Sequence, residues 1–186
     1  MESKIVQSSS KSEKALFGNG CFWCTEAIFK ELQGVISVTS GYSGGTMINP
    51  DYTSVCTGNT GHAECLEIIY NSDIISYEAL LEVFWKTHDP TSLNKQGEDE
   101  GTQYRSVIFY YDDIQYKIAR EYIQQINESG VYQSPIVTTL EPFETFYPAE
   151  DYHQDYFASN GQNPYCHFVV KPKVEKFKKE FVKKIK

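Results

Sequence analysis

The feature that most limits how this chain folds is an alternation of short β-patterned runs with helical ones. KALFG (14–18), VISVTSGY (35–42), AECLEIIY (63–70), SVIFYY (106–111) and IVTTL (136–140) read as strands. They are short, rich in β-branched or aromatic side chains, and bounded by turn residues. Between them, helices are predicted from Cys21 or Phe22 to Gln33 with Gly34 as the stop, over 76–89 up to Pro90, and over 112–130. In the last of these, Ile114, Ile118, Tyr122 and Ile126 recur at four-residue spacing and are predicted to face the core. PAEDYHQDYFASN (148–160) reads as one short helix between Pro148 and Gly161. Elements in this order pack as layers on one sheet. The expected class is α+β, a two-layer α/β sandwich around a mixed sheet. Two turn-rich stretches, 43–62 and 91–105, are long for plain connections and are expected to carry function at one end of the sandwich.

A length of 186 residues suits one domain with a proper core. Residues 1–14 are polar, lack the apolar segment of a secretory leader and are expected to form a disordered arm; 15–186 is expected to be a single domain. No run reaches the length of a membrane span, so a cytoplasmic location is expected. The net charge of −8 argues against nonspecific nucleic-acid binding. Eight lysines between 171 and 186 are a local exception. There Val174, Phe177, Phe181 and Ile185 share one face, which predicts a docked amphipathic helix with a solvated lysine side.

Five cysteines, at 21, 24, 56, 65 and 166, are an odd number. In a reducing compartment that points to reactive thiols, metal ligands or buried fillers rather than a disulfide framework. GNGCFWC (18–24) sets two of them at CxxC spacing after a glycine turn. The turn delivers Cys21 to a helix N-terminus, where free N–H groups favour a thiolate; Cys21 is therefore expected to have the lower pKa of the pair. Phe22 and Trp23 are adjacent on a helix and cannot both enter the core, so at least one is expected to wall a cleft beside the thiol. Three chemistries compete: two buried fillers, a zinc site drawn from Cys21, Cys24, Cys56, His62 and Cys65, and a thioredoxin-like thiol–disulfide pair. The zinc reading lacks a second CxxC.

GCFWC, PDYTSVCTGNTGHAE, HDPTSLNKQGEDEGTQYRS and FYPAEDYHQDYF with NPYC follow one another in order along the chain. Together they resemble the A-type peptide-methionine sulfoxide reductases, which act on the S epimer at sulfur. The resemblance implies a ferredoxin-like core, a single catalytic domain, and reduction of free or peptide-bound methionine sulfoxide. By position it implies Cys21 as nucleophile, Glu64 as proton donor, Tyr52 and Tyr104 as hydroxyls at the sulfoxide oxygen, Asp99 as supporting acid, and Phe22 with Trp23 around the methyl group. Attack would leave a sulfenic acid on Cys21, which a second thiol condenses to a disulfide. Cys166 of NPYC matches the family's C-terminal resolving thiol and is preferred; Cys24 is the local alternative. Thioredoxin or a similar dithiol would reduce the bridge. No metal, flavin or nicotinamide is implied, and the protein is expected to act as a monomer without nucleic-acid or membrane partners. His62 and His153 are read as structural, Cys56 and Cys65 as inert.

Overall fold

The computed structural model describes residues 11–186. The expected arm over 1–14 therefore lies largely outside the described residues. The first strand, β1 (Ser12–Asn19), opens at Ser12, inside the stretch assigned to that arm. The other strands of the main sheet are β2 (Val35–Ser43), β3 (Ala63–Asn71), β6 (Ser106–Tyr110), β7 (Thr139–Pro142) and β8 (Phe146–Pro148). Their order is β7-β6-β1-β3-β2-β8, and every pairing is antiparallel except the parallel β6–β7 edge. The sheet is thus mixed, as expected.

Period-two patterning decides which side of the sheet each residue serves. Ala15 and Phe17 of β1, Leu66, Ile68 and Tyr70 of β3, and Ile108 of β6 join the main core. Their neighbours Leu16, Ala63, Cys65, Val107 and Phe109 form a smaller cluster on the opposite face, covered by Tyr111, Phe143 and Phe146. Glu64 lies between Ala63 and Cys65, so alternation turns it to the face of Leu66 and the main core.

That core is roofed by α1 (Phe22–Phe29), α3 (Tyr77–Lys86), α4 (Asp113–Ser129) and α6 (Lys171–Glu180). Ser76 and Asp112 cap α3 and α4 by accepting hydrogen bonds from Ala79 N and Gln115 N, satisfying otherwise orphaned amides. Gly130, in the left-handed region at φ 68°, ends α4. Val174, Phe177 and Phe181 are buried, and Ile185 forms a β-bridge with Leu32. The lysine-rich tail therefore docks by its apolar face.

Four local readings are corrected. The helix from Cys21 ends as α1 at Phe29, and the chain continues to Gly34 through turns. In α4, Ile114 is 70% exposed and Gln115 is buried. Gln115 earns that place by donating to Lys14 O and accepting from Tyr111 N, which rotates the apolar stripe toward Ala119. The predicted helix over 148–160 is broken: a 3-10 turn over Asp151–His153 precedes the four-residue α5 (Tyr156–Ser159), and Asp155 between them has φ 53°. Its N–H donates to Glu26 Oε1, so a tertiary contact overrides local propensity. The two long stretches also carry structure: α2 (Tyr52–Cys56) in the first, and the two-residue strands β4 (Lys95–Gln96) and β5 (Asp99–Glu100) in the second.

Candidate active site

The site begins where β1 hands over to α1. Gly20 takes φ 99°, and a Cβ there would lie 2.9 Å from the Gln96 side chain. Gln96 itself is fixed against the Asp89 backbone, accepting from its N–H and donating to its carbonyl. Only glycine allows the chain to pass that close with that dihedral. Asn19 Oδ1 accepts from Thr25 Oγ1 at 2.6 Å, tying the turn to α1. Cys21 is then the N-cap residue of α1, as its position after the turn predicts.

Across the sheet, Glu64 stands opposite Tyr42 in the β2–β3 register. It is 2% exposed, and its Oε2 accepts the Phe22 N–H at 3.0 Å. Burial pushes its carboxyl up to about 8, against the pull of that hydrogen bond; negative charge on Asp99 and Cys24 adds to the rise. Glu64 is thus protonated near neutral pH and has a proton to give. Tyr42, Tyr52 and Tyr104 are all pushed above the ordinary phenol range, first by burial, so their hydroxyls stay protonated donors.

The two thiols do not titrate as the helix N-terminus alone predicts. Burial, the hydrogen bond to Cys24 and the Glu64 charge push Cys21 well above the usual thiol value. Cys24 is lowered, first by the hydrogen bond from Cys21, then by Lys173 and Tyr165 against the opposing burial. Desolvation of Cys21 outweighs the dipole at the start of an eight-residue helix. The expectation that Cys21 has the lower pKa is therefore not met: burial raises Cys21, and the two thiols titrate as a pair.

Phe22 is buried with Tyr42, Val55 and Ala149, its ring 5.8 Å from that of Tyr42 and 5.1 Å from that of His153. Trp23 is half-buried and stacks on Tyr156, with centroids 3.7 Å apart and planes 6° apart. Its indole Nε1 donates to His153 Nδ1 at 3.0 Å, which leaves the His153 proton on Nε2, 3.6 Å from Glu150 Oε2. Burial lowers the His153 pKa, so it is a neutral acceptor orienting Trp23. Tyr52, at the start of α2, faces His153 at 4.4 Å and gives its N–H to Glu150 Oε2. Asp99, in β5, accepts the Tyr165 hydroxyl at 2.6 Å. Tyr165 meets Trp23 edge-on at 5.8 Å, and its phenol is close enough to feel charge on Cys21 and Cys24.

The structure thus draws Cys21, Phe22, Trp23, Cys24, Glu64, Asp99 and Tyr165 around one point, with Tyr52 and Tyr104 close enough to feel the Glu64 charge. Cys166 is fully buried in a π-helical turn running into α6, and the thiol whose charge it feels is Cys24. Sequence reasoning missed Tyr156, Tyr165 and Glu150. The aromatic density of YHQDYF and NPYC was the available signal. His62 is held between Gly45 N and Met47 O, apart from the thiols. Cys65 is buried on the far face of the sheet. Cys56 is exposed at the end of α2. Among the described residues no group of three His, Cys, Asp or Glu side chains is arranged to hold a metal ion.

The family model described as peptide methionine sulfoxide reductase matches residues 13–185. The chain belongs to the peptide methionine sulfoxide reductase family. It is 53% identical to the peptide methionine sulfoxide reductase MsrA of Natronomonas pharaonis, over 92% of this chain and 96% of that one. It is 53% identical to the MsrA of Saccharolobus solfataricus, covering 94% of this chain and 97% of that one. Among solved structures it resembles reduced Mxr1 of Saccharomyces cerevisiae at 34% identity and a TM-score of 0.74, over 85% of this chain and 91% of that one. Mxr1 has also been solved in complex with Trx2; that structure matches at 24% identity and a TM-score of 0.52, over 84% and 92% of the two chains. Reduction of methionine sulfoxide is the family's reaction and is this enzyme's activity. The thioredoxin-like reading of CFWC is not favoured.

Proposed function

We propose that residues 15–186 form a single catalytic domain that reduces the S epimer of methionine sulfoxide through a Cys21 sulfenic acid. The observation that carries this reading is the buried Glu64 carboxyl, which accepts the Phe22 N–H next to Cys21 and whose pKa burial raises to about 8. A sulfoxide sulfur is a poor electrophile until its oxygen takes a proton. Glu64 supplies that proton, and the Tyr52 and Tyr104 hydroxyls hydrogen-bond the same oxygen. Cys21 passes its own proton to Cys24 and bonds to sulfur; oxygen then transfers to Cys21 as methionine leaves. The products are a thioether and a Cys21 sulfenic acid, and Glu64 is recharged from water. Phe22 and Trp23 hold the methyl group, and Asp99, through Tyr165, braces the Trp23 side. The inner strand order β6-β1-β3-β2, with α1 and α3 as crossovers, supports a ferredoxin-like core.

The sulfenic acid is resolved by a second thiol. Cys24 lies three residues after Cys21 on the same helical turn, its N–H donating to Cys21 O at 3.1 Å, and its pKa is lowered, which supports it as the first partner. This reverses the order implied by the resemblance, in which Cys166 comes first. A dithiol then reduces the bridge by exchange; the complex of Mxr1 with Trx2 supports a thioredoxin in that role. No helix among the described residues is long and apolar enough to cross a membrane. A cytoplasmic, monomeric enzyme without nucleic-acid or membrane partners and without a cofactor remains our reading. Purified enzyme with dithiothreitol is expected to convert one epimer of a methionine sulfoxide peptide to methionine and leave the other. Conversion of both epimers, or of neither, contradicts it.

A further inference from the structure

One lysine of the C-terminal helix is turned inward. Val170 lies three residues before Lys173 and Phe177 four after, and both are buried against the core, so Lys173 shares their side of α6. Its Nζ lies 4.0 Å from Cys24 Sγ. By contrast Lys178, further along α6, pairs with Glu31 at the surface. Among the described residues Lys173 forms no ion pair within 4.0 Å, and the Cys24 sulfur is the side-chain partner of its Nζ. Lys173 is half-buried and lines an open groove of about 410 Å³ with Ile28, His88, Asp89, Tyr132 and Glu180. It therefore carries its charge without full desolvation.

We propose that Lys173 is a positioning residue for the resolving step, holding the Cys24 sulfur as a thiolate aimed at the Cys21 sulfenic acid. The inference rests on Cys24 being the first resolving thiol. In that step Cys24 releases to solvent the proton it took from Cys21, its thiolate sulfur attacks Cys21 sulfur, an S–S bond forms and the S–O bond breaks. Cys24 is oxidised, Cys21 is reduced, and hydroxide leaves as water with a proton from solvent. The groups facing Cys24 are Cys21 on α1, Glu64 on β3, Asp99 on β5, Tyr165 and Cys166 before α6, and Lys173 on α6. Once Cys21 is a sulfenic acid, its hydrogen bond no longer supports the Cys24 charge as before. Lys173 is then the remaining cation at that sulfur. Burial and Asp99 oppose the thiolate, so removing the ammonium shifts the balance to the neutral, unreactive thiol.

The test is a single turnover with one equivalent of a methionine-S-sulfoxide peptide and no reductant, in wild type, Lys173→Met, Lys173→Gln and Lys173→Arg. Quenched samples are treated with a sulfenic-acid trap and mapped by mass spectrometry. Wild type is expected to pass from Cys21 sulfenic acid to a Cys21–Cys24 disulfide. Lys173→Met and Lys173→Gln are expected to slow that passage about 10-fold at pH 7 and to move its pH profile up by about one unit. Lys173→Arg is expected to stay near wild type. A first disulfide joining Cys21 to Cys166 in wild type would remove the reading beneath the proposal. A Cys21–Cys24 bridge formed by the neutral variants at wild-type speed and pH profile would overturn Lys173 alone. So would equal slowing in all three variants, which marks a packing role.

Discussion

At the scale of single residues, the site works by burying groups that water would otherwise discharge. Glu64 is the clearest case. Its pKa near 8 predicts that sulfoxide reduction falls as pH rises through that value. Glu64→Gln should lower the rate of methionine formation by about 10²–10⁴-fold, read in a single turnover. The same shift affects stability with a definite sign. Between the ordinary carboxyl value of 4.5 and about 8 the folded state holds a proton that the unfolded chain has released. Stability therefore falls across that window, by on the order of 4 kcal/mol from this group. Glu64→Gln should abolish that part of the fall, measured as urea unfolding at pH 5 and pH 8.5; an unchanged pH slope would contradict it. Gly20→Ala should cost about 1–3 kcal/mol in the same assay, because φ 99° is foreign to alanine and the Gln96 side chain must move. The position of Cys21 at a helix start was legible in the sequence. Its raised pKa was not, because burial and the Cys24 contact are tertiary.

At the scale of elements, sequence patterning locates strands and long helices well and short irregular pieces poorly. The Asp112 cap and the Gly130 stop of α4 are written as local chemistry, and they bound the helix as expected. Asp112→Ala should cost about 1 kcal/mol, seen as a lower denaturation midpoint. The face of α4 was misread at Ile114 because a glutamine that satisfies two backbone groups took the buried position. Helix α2 had a local signal, Asp51 accepting from Ser54 N, but it is only five residues long and lay in a stretch read as loop. The break at Asp155 had none, since it depends on Glu26 and Lys30 of the α1 region. It matters to function, because it lets His153 and Tyr156 grip Trp23 from two sides. His153→Ala should therefore raise KM for the sulfoxide more than it lowers kcat, by loosening the indole that walls the methyl pocket.

At the scale of the molecule, one sheet brings together residues far apart in the chain: Cys21 after β1, Glu64 on β3, Asp99 on β5, and Tyr165 with Lys173 at the C-terminal end. The four ordered motifs made that assembly legible as a family resemblance, and the family is confirmed. What the motifs left open was the pairing of three thiols, since the order of Cys21, Cys24 and Cys166 is set by helix packing rather than spacing. The most direct measurement is a disulfide map after one equivalent of methionine-S-sulfoxide peptide without reductant, with methionine counted in the same sample. One methionine per chain and a first bridge from Cys21 to Cys24 are expected, with Cys166 still alkylated as a free thiol. A methionine yield near zero, or a first bridge other than Cys21 to Cys24, would contradict this.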